Sequence, residues 1–342
     1  MAAAAESLVS AVFGIASALK PVYTGGIGVR KGGGAPMRNR LRLVSRYRDN
    51  HSLRLSFNRL AQKTFGIDFE GWYQKGAWDD SYACYSFADG EEIVANVSVT
   101  AMTMLLDGST LPALQVGTVM THPGYRGQGL FSTLMGEALA SHGEQEGGFT
   151  FLFANASVAD LYPKLGFRRR PFYRIEADVE IGGQAVAPRL RKLDVNRAED
   201  WALIVRLARE RAPLSGKCSA PGSASIFLWY CLNIFPHALY YAEDRELLLV
   251  YEWSGEKIQL MDAVSPRPLL MRDIAECLAA ARPGEEAANN GRWPVEFHFT
   301  PDFADLASEE IRWREDEEEF FFVREECARM PPGYVIPLSA RT

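Results

Sequence analysis

The four residues Arg126-Gly127-Gln128-Gly129 are of a kind and spacing that could do chemistry on an anion. Two glycines let a backbone approach a ligand closely. A helix starting beyond them leaves N–H groups unpaired, where the helix dipole favours phosphate oxygens. Arg126 adds a fixed positive charge. The same residues also make an ordinary strand–turn–helix connection, and so short a motif does not separate the two readings. A cradle needs a strand to deliver it and a helix to receive it. Val116, Thr118, Val119 and Thr121 are β-branched and suit a strand that breaks at Pro123. Beyond Gly129, the apolar residues Leu130, Leu134, Ala138 and Leu139 recur at helical spacing.

Other chemistries find less support. The cysteines Cys84, Cys218, Cys231, Cys277 and Cys327 are odd in number, scattered and without a CxxC pair, which argues against a disulfide framework and a zinc knuckle. Buried, reduced thiols in a cytoplasmic protein are expected. The histidines His51, His122, His142, His237 and His298 show no metal-ligand spacing, so no metal is expected. A net charge of −6 provides no basic field for nucleic acid and suits a cationic or amine substrate slightly better. The apolar stretch 8–19 is too short to span a bilayer and lacks a basic flank, so neither a membrane anchor nor a secretory signal is expected.

The length of 342 residues favours two domains. Residues 1–36, rich in glycine and small side chains, read as a disordered and dispensable extension, with Met37 as the functional start. From there strands and helices alternate, which indicates a mixed α/β fold. A strand is expected at 41–47, helices at 52–65 and 69–76, and strands at 82–87 and 93–104 around the Asp89-Gly90 turn. The strand 114–121 follows Asp107-Gly108. A helix over 128–144, a strand over 149–154, a short helix over 158–165 and a last strand over 172–181 complete this half.

After the small, proline-ended segment 182–188 the element order repeats, with strands at 190–193, 238–242, 247–253, 257–264, 295–299 and 319–324 and helices at 198–212 and 269–281. We therefore expect a catalytic domain over 37–183 and a degenerate copy over 189–342. The copy carries Ser265-Pro266-Arg267-Pro268 where the first half has its glycines, and proline removes the N–H groups that would bind an anion. The acidic run 315–319 reads as a solvated turn or strand edge.

A second element makes the first one specific. It runs Asn155-Ala-Ser-Val-Ala-Asp-Leu-Tyr162-Pro-Lys-Leu-Gly166-Phe167. Strand-Pro-x-Tyr-Arg-Gly-x-Gly-Leu-helix, followed downstream by an Asn, a Tyr seven residues on and a Gly-Phe pair, resembles the Gcn5-related N-acetyltransferases (GNAT). The resemblance covers about 39–181. The catalytic domain followed by a degenerate GNAT-like domain is similar to the enhanced-intracellular-survival group, whose further sterol-carrier-like domain this chain is too short to hold.

What the resemblance implies is transfer of an acetyl or other short acyl group from acetyl-CoA, as co-substrate, to a primary amine by direct attack in a ternary complex. It implies that Val119, Met120 and Thr121 run beside the pantetheine arm. It also implies that Arg126, Gly127, Gln128, Gly129, Leu130 and Phe131 hold the pyrophosphate, that Asn155 positions cofactor or substrate, and that Tyr162 gives a proton to the departing thiolate. Phe131 replaces a small residue common in the family and must point away from the diphosphate.

Such chemistry aligns an amine with a polarised thioester and removes one proton. Residues 114–121 contain no carboxylate to take it. Gln115, Thr118 and His122 by a water relay, and Asp68, Glu70, Asp79 and Asp80 from across the cleft, remain open. In the group it resembles, the C-terminal carboxylate serves this role, but the missing last domain argues against carrying that over to Thr342. The acceptor, a small-molecule amine or a protein lysine, is expected to meet the helices around Trp72, Tyr73 and Trp78 together with the second domain. An oligomer is compatible with the sequence. The rival reading, prompted by the missing carboxylate, is a non-catalytic acyl-CoA-binding regulatory module.

Overall fold

The computed structural model describes residues 40–142, 148–181, 188–254, 257–280, 291–324 and 333–342. The expected N-terminal extension, Met37, the inter-domain segment 182–187, the helix end at 143–144, Ala281 and Cys327 lie outside these residues.

Strand β1 (Leu41–Ser45) leads to helices α1 (His51–Phe65) and α2 (Glu70–Gln74). Asn50 caps α1 by accepting the Leu53 N–H, and Gly66 ends it in the left-handed region. An antiparallel meander follows, comprising β2 (Tyr82–Asp89), β3 (Glu92–Leu106) and β4 (Ser109–Thr121). Helix α3 (Leu130–His142) then crosses to β5 (Phe149–Ala154), which pairs parallel with β4. A 3-10 helix over Ala159–Leu165 and β6 (Phe167–Arg170) end the run.

The second half has a matching order. It contains β7 (Tyr173–Glu180), β8 (Leu190–Lys192), α4 (Ala198–Glu210), the short β9 (Cys218–Ser219) and α5 (Ala224–Asn233). Then come β10 (Leu239–Ala242), β11 (Leu247–Ser254), β12 (Lys257–Val264) and α6 (Met271–Ala280). Last are β13 (Arg292–Phe297), β14 (Arg312–Glu315) and β15 (Phe320–Arg324). Here β12 and β13 form the parallel pair, as β4 and β5 do in the first half.

The two sheets exchange strands. The first has the order β1-β2-β3-β4-β5-β15-β6 with β9 beside β3, and the second has the order β14-β7-β13-β12-β11-β10-β8. The strand expected to close the first sheet, 172–181, therefore lies in the second, paired with β13 and β14. The strand from the end of the second half lies between β5 and β6. Residue patterns specify strands but not their partners, so only the structure assigns this exchange.

Helix α3 buries Leu130, Leu134, Met135 and Ala138 on one face of the first sheet. On the other face α1 and α2 share a continuous core with α4 and α5, joining Phe57, Phe69, Trp72 and Trp78 to Ile204, Leu207, Phe227 and Tyr230. The Trp72 indole donates to the Ser225 carbonyl at 2.9 Å, and Ser225 Oγ donates to the Ala77 carbonyl at 2.7 Å. Trp72 and Trp78 are thus core residues that tie the two halves together.

The proline-bearing counterpart at 265–268 leads to a helix start already occupied by the protein's own carboxylates. Asp305 accepts the N–H groups of Met271 (2.7 Å) and Arg272 (3.0 Å), and Asp273 accepts that of Leu270 (3.0 Å). No helix of the described residues is long and apolar enough to cross a membrane.

Candidate active site

The parallel pairing of β4 with β5 runs from Ala113–Phe149 to Val116–Leu152 and stops, while β4 continues to Thr121 and β5 to Ala154. The strands splay and leave an open edge of β4. On its other side the β3–β4 register shifts between Asn96 and Ser98, and Thr118 has φ +47°. A β-branched residue in that region is strained by about 1–2 kcal/mol, so the surroundings must enforce it. They do so through a buried polar chain. Tyr47 OH and Ser86 Oγ lie 2.6 Å apart, and Ser86 donates to Asn96 Oδ1. Asn96 Nδ2 donates to the Thr118 carbonyl at 2.8 Å, and Tyr82 OH donates to Thr118 Oγ1 at 2.7 Å. Such a bulge frees backbone groups from the ladder and turns them towards the splay.

The glycine loop closes one end. His122 Nδ1 accepts the Gly124 N–H at 3.3 Å, and Tyr125 OH donates to Asp89 at 2.9 Å. Gly127 and Gly129 have φ of +76° and +73°, so both positions need glycine. The first α3 hydrogen bond runs from Thr133 N to the Gly129 carbonyl at 3.2 Å, which leaves the amides of residues 130–132 without an intrahelical partner. Arg126 stays exposed, its Nε donating to the Thr121 carbonyl.

These elements open into a cleft of about 1040 Å³. Val119, Met120, Thr121, Arg126, Gly127, Gln128, Gly129, Leu130, Phe131, Asn155 and Tyr162 all line it. Phe131 packs edge-on to Tyr162, with ring centroids 5.9 Å apart, so its bulk orients that ring. Tyr162 is buried, and burial pushes its phenol up to about 12. Asn155 Oδ1 is taken by the backbone and hydroxyl of Ser157, so the residue organises the turn after β5.

Of the carboxylates considered from across the cleft, none lines it. Asp68 is held by Asn58 and Gln62, Glu70 by Arg54 and Gln74, Asp79 by Ser81, and Asp80 by Arg48. Gln115 Nε2 lies 3.4 Å from the Thr342 carbonyl oxygen, while Gln115 Oε1 is buried without a partner.

Residues 333–342 return over the second half and place Thr342 in the cleft. A Cβ on Gly117 would stand 2.8 Å from the Thr342 carbonyl carbon, so only glycine admits the tail there. Ser339 donates to buried Asp262, which also accepts both Nη groups of Arg211 at 3.0 and 2.7 Å. Leu338 N–H donates to the His298 carbonyl at 2.8 Å. Arg341 donates twice to the Ile336 carbonyl and lies over the Phe153 and Phe172 rings.

The acidic run 315–319 is solvated at Glu315, Glu317 and Glu318, as expected, but not throughout. Asp316 is buried and accepts from Arg174 Nε at 2.8 Å, and Glu319, 9% exposed, lines the cleft. The sequence did carry a signal: the acids give way at once to Phe320-Phe321-Phe322, where a buried strand begins. Among the described residues no cluster of histidine, cysteine or acidic side chains could hold a metal ion.

Residues 52–170 match the family model described as an acetyltransferase (GNAT) domain. The splayed β4–β5 pair and the glycine loop both fall within that matched GNAT domain. A conserved protein of Enterococcus faecalis, titled a probable N-acyltransferase, is 14% identical with a TM-score of 0.52, over 83% of this chain and 72% of that one. That likeness extends the fold to both halves. A GCN5-related N-acetyltransferase of Kribbella flavida is 19% identical with a TM-score of 0.49 over 84% of this chain and 71% of that one. Eis1 of Mycobacterium abscessus is 13% identical with a TM-score of 0.44 over 82% and 72%. No curated protein matches the sequence.

Proposed function

We propose that this protein transfers an acetyl or other short acyl group from acyl-CoA to a primary amine, which attacks the thioester directly in a ternary complex. The observation that carries this reading is the open β4 edge beyond Val116, flanked by the strained Thr118 at one end and the two positive-φ glycines at the other. An extended pantetheine arm can pair along Val119–Thr121 as a short pseudo-strand. Its pyrophosphate then meets Arg126 and the amides of residues 127–131. The bulged backbone near Val119 supplies an N–H for the thioester oxygen.

Tyr162 is assigned to the leaving thiolate. At a pKa of about 12 the phenol stays neutral throughout the working range. Full ionisation towards a thiol of reference pKa near 8.5 is uphill by about 3.5 units, or about 5 kcal/mol. Tyr162 therefore acts first as a hydrogen-bond donor that lowers the charge on sulfur, with proton transfer completed as the proton from the amine becomes available. That proton leaves by a water relay past Gln115 and Thr342, which lie 3.4 Å apart beside the open strand. Balance is preserved: the C–S bond breaks, the C–N bond forms, and one proton passes from nitrogen towards sulfur.

Free CoA measured across a panel of amines tests the proposal. Amine-dependent thiol release is expected. Binding of CoA without turnover of any amine would instead support a regulatory acyl-CoA-binding module.

A further inference from the structure

Glu319 enters the cleft because of the strand exchange. β15 pairs with β5 in the register Phe320–Ala154, which sets Glu319 just beyond the end of the pair, beside Asn155. Side chains alternate along a strand. Phe320 and Phe322 pack on the α3 side with Tyr162, whereas Phe321 packs on the opposite side against Phe153 at 5.0 Å. Glu319 shares the face of Phe321, the side on which the tail lies. Among the described residues it makes no hydrogen bond or ion pair, and it is the only acidic side chain lining the cleft. Arg341, which lines the same cleft, is hydrogen-bonded to the Ile336 carbonyl, so its charge reaches Glu319 and offsets it in part without a direct bond.

The walls around this carboxylate are aromatic. Tyr230 stands near enough to feel its charge, and Trp229, packed on Tyr230, lines the same cleft with Phe65. A nearly buried carboxylate with no direct bond gains from a cation placed against it, and such walls favour an apolar partner. A polyamine or a substrate with many ammonium groups would place its further charges against rings with no carboxylate to meet them. One cation on an apolar body fits.

We propose that Glu319 docks the amino group of the acceptor, and that the acceptor is an aromatic or similarly apolar monoamine of the arylalkylamine class. This rests on the acyl-transfer reading for its chemistry, but its binding prediction stands apart from turnover. Burial holds the Glu319 carboxyl above the usual carboxylate range, with Arg341 and Arg174 opposing and Asp316 reinforcing that shift. The group is accordingly a better proton acceptor than a free carboxylate.

Calorimetry on the full chain with CoA bound tests the assignment, using phenylethylamine, its uncharged analogue phenylethanol, spermidine and a lysine-containing peptide. Phenylethylamine is expected to bind at least about 10-fold more tightly than each of the others, a gap of about 1.4 kcal/mol. In Glu319→Gln the preference for amine over alcohol should collapse while CoA affinity is unchanged. Trp229→Leu should weaken amine and alcohol alike. Tighter binding of spermidine or the peptide, or an amine preference that survives in Glu319→Gln, overturns the proposal. Glu319-dependent binding of phenylethylamine with no CoA release from any amine would sustain it and remove the acyl-transfer reading instead.

Discussion

At the scale of single residues, the proposed reaction divides the site into groups that hold CoA and groups that manage protons. It assigns to the second Tyr162, which is buried between Phe131, Phe167 and Phe322. Tyr162→Phe keeps those ring contacts and should leave CoA affinity within about twofold, while turnover falls about 100-fold, in the range expected for a lost proton donor. Steady-state kinetics beside CoA titration would show it, and unchanged turnover would remove Tyr162 from the role. Because burial raises its pKa to about 12, the protonated form persists through neutral pH and beyond. A pH–rate profile should show no loss attributable to Tyr162 below about pH 10. Gly117 makes the complementary test. Gly117→Ala drives a methyl into Thr342 and should displace the tail, so turnover falls while CoA binding is retained.

At the scale of elements, the glycine loop was the part most legible in sequence. Its strand, its two positive-φ glycines and the segment from Asn155 to Tyr162 all contribute to one cleft, because each depends on local spacing. Gly129→Trp should abolish CoA binding, as both the left-handed backbone and the close approach are lost; calorimetry with CoA is the check. What stayed hidden depended on distant pairing. Glu319 and Thr342 reach the cleft through β15 and the tail, and the α5 aromatics through the packing of α5 on the α1–α2 region, all far along the chain from the loop. The acids of the α1–α2 region looked available in sequence but are taken by local partners such as Arg54 and Asn58. Glu319, hidden within an acidic run, is the one that remains. Local patterns give elements, and the competition among side chains for partners decides which are left to act.

At the scale of the molecule, the second half holds the first half's machinery in place. Its own helix start at α6 is filled by Asp305, while its Asp262 and His298 anchor the tail that enters the opposite cleft. The exchange of β7 and β15 means that a fragment ending at 183 would lack the strand between β5 and β6 and leave their edges bare. Such a fragment should be insoluble or molten, with poor near-ultraviolet circular dichroism, whereas the full chain gives a cooperative transition. His298 also links the second half to pH. It is fully buried, hydrogen-bonded to Gln259, and pushed down to about 4 by desolvation. The unfolded chain then binds more protons between about pH 6.5 and 4, so this group makes stability rise with pH across that window and fall on acidification. Chemical denaturation at stepped pH should show that loss, reduced in His298→Gln.

The central claim is that this cleft moves an acyl group from CoA to an amine. Amine-dependent release of free CoA thiol from acetyl-CoA by the full chain, with Gly129→Trp measured alongside, tests it most directly. The account predicts release that requires both an amine and an intact glycine loop. CoA binding at the loop with no amine-dependent release would contradict it.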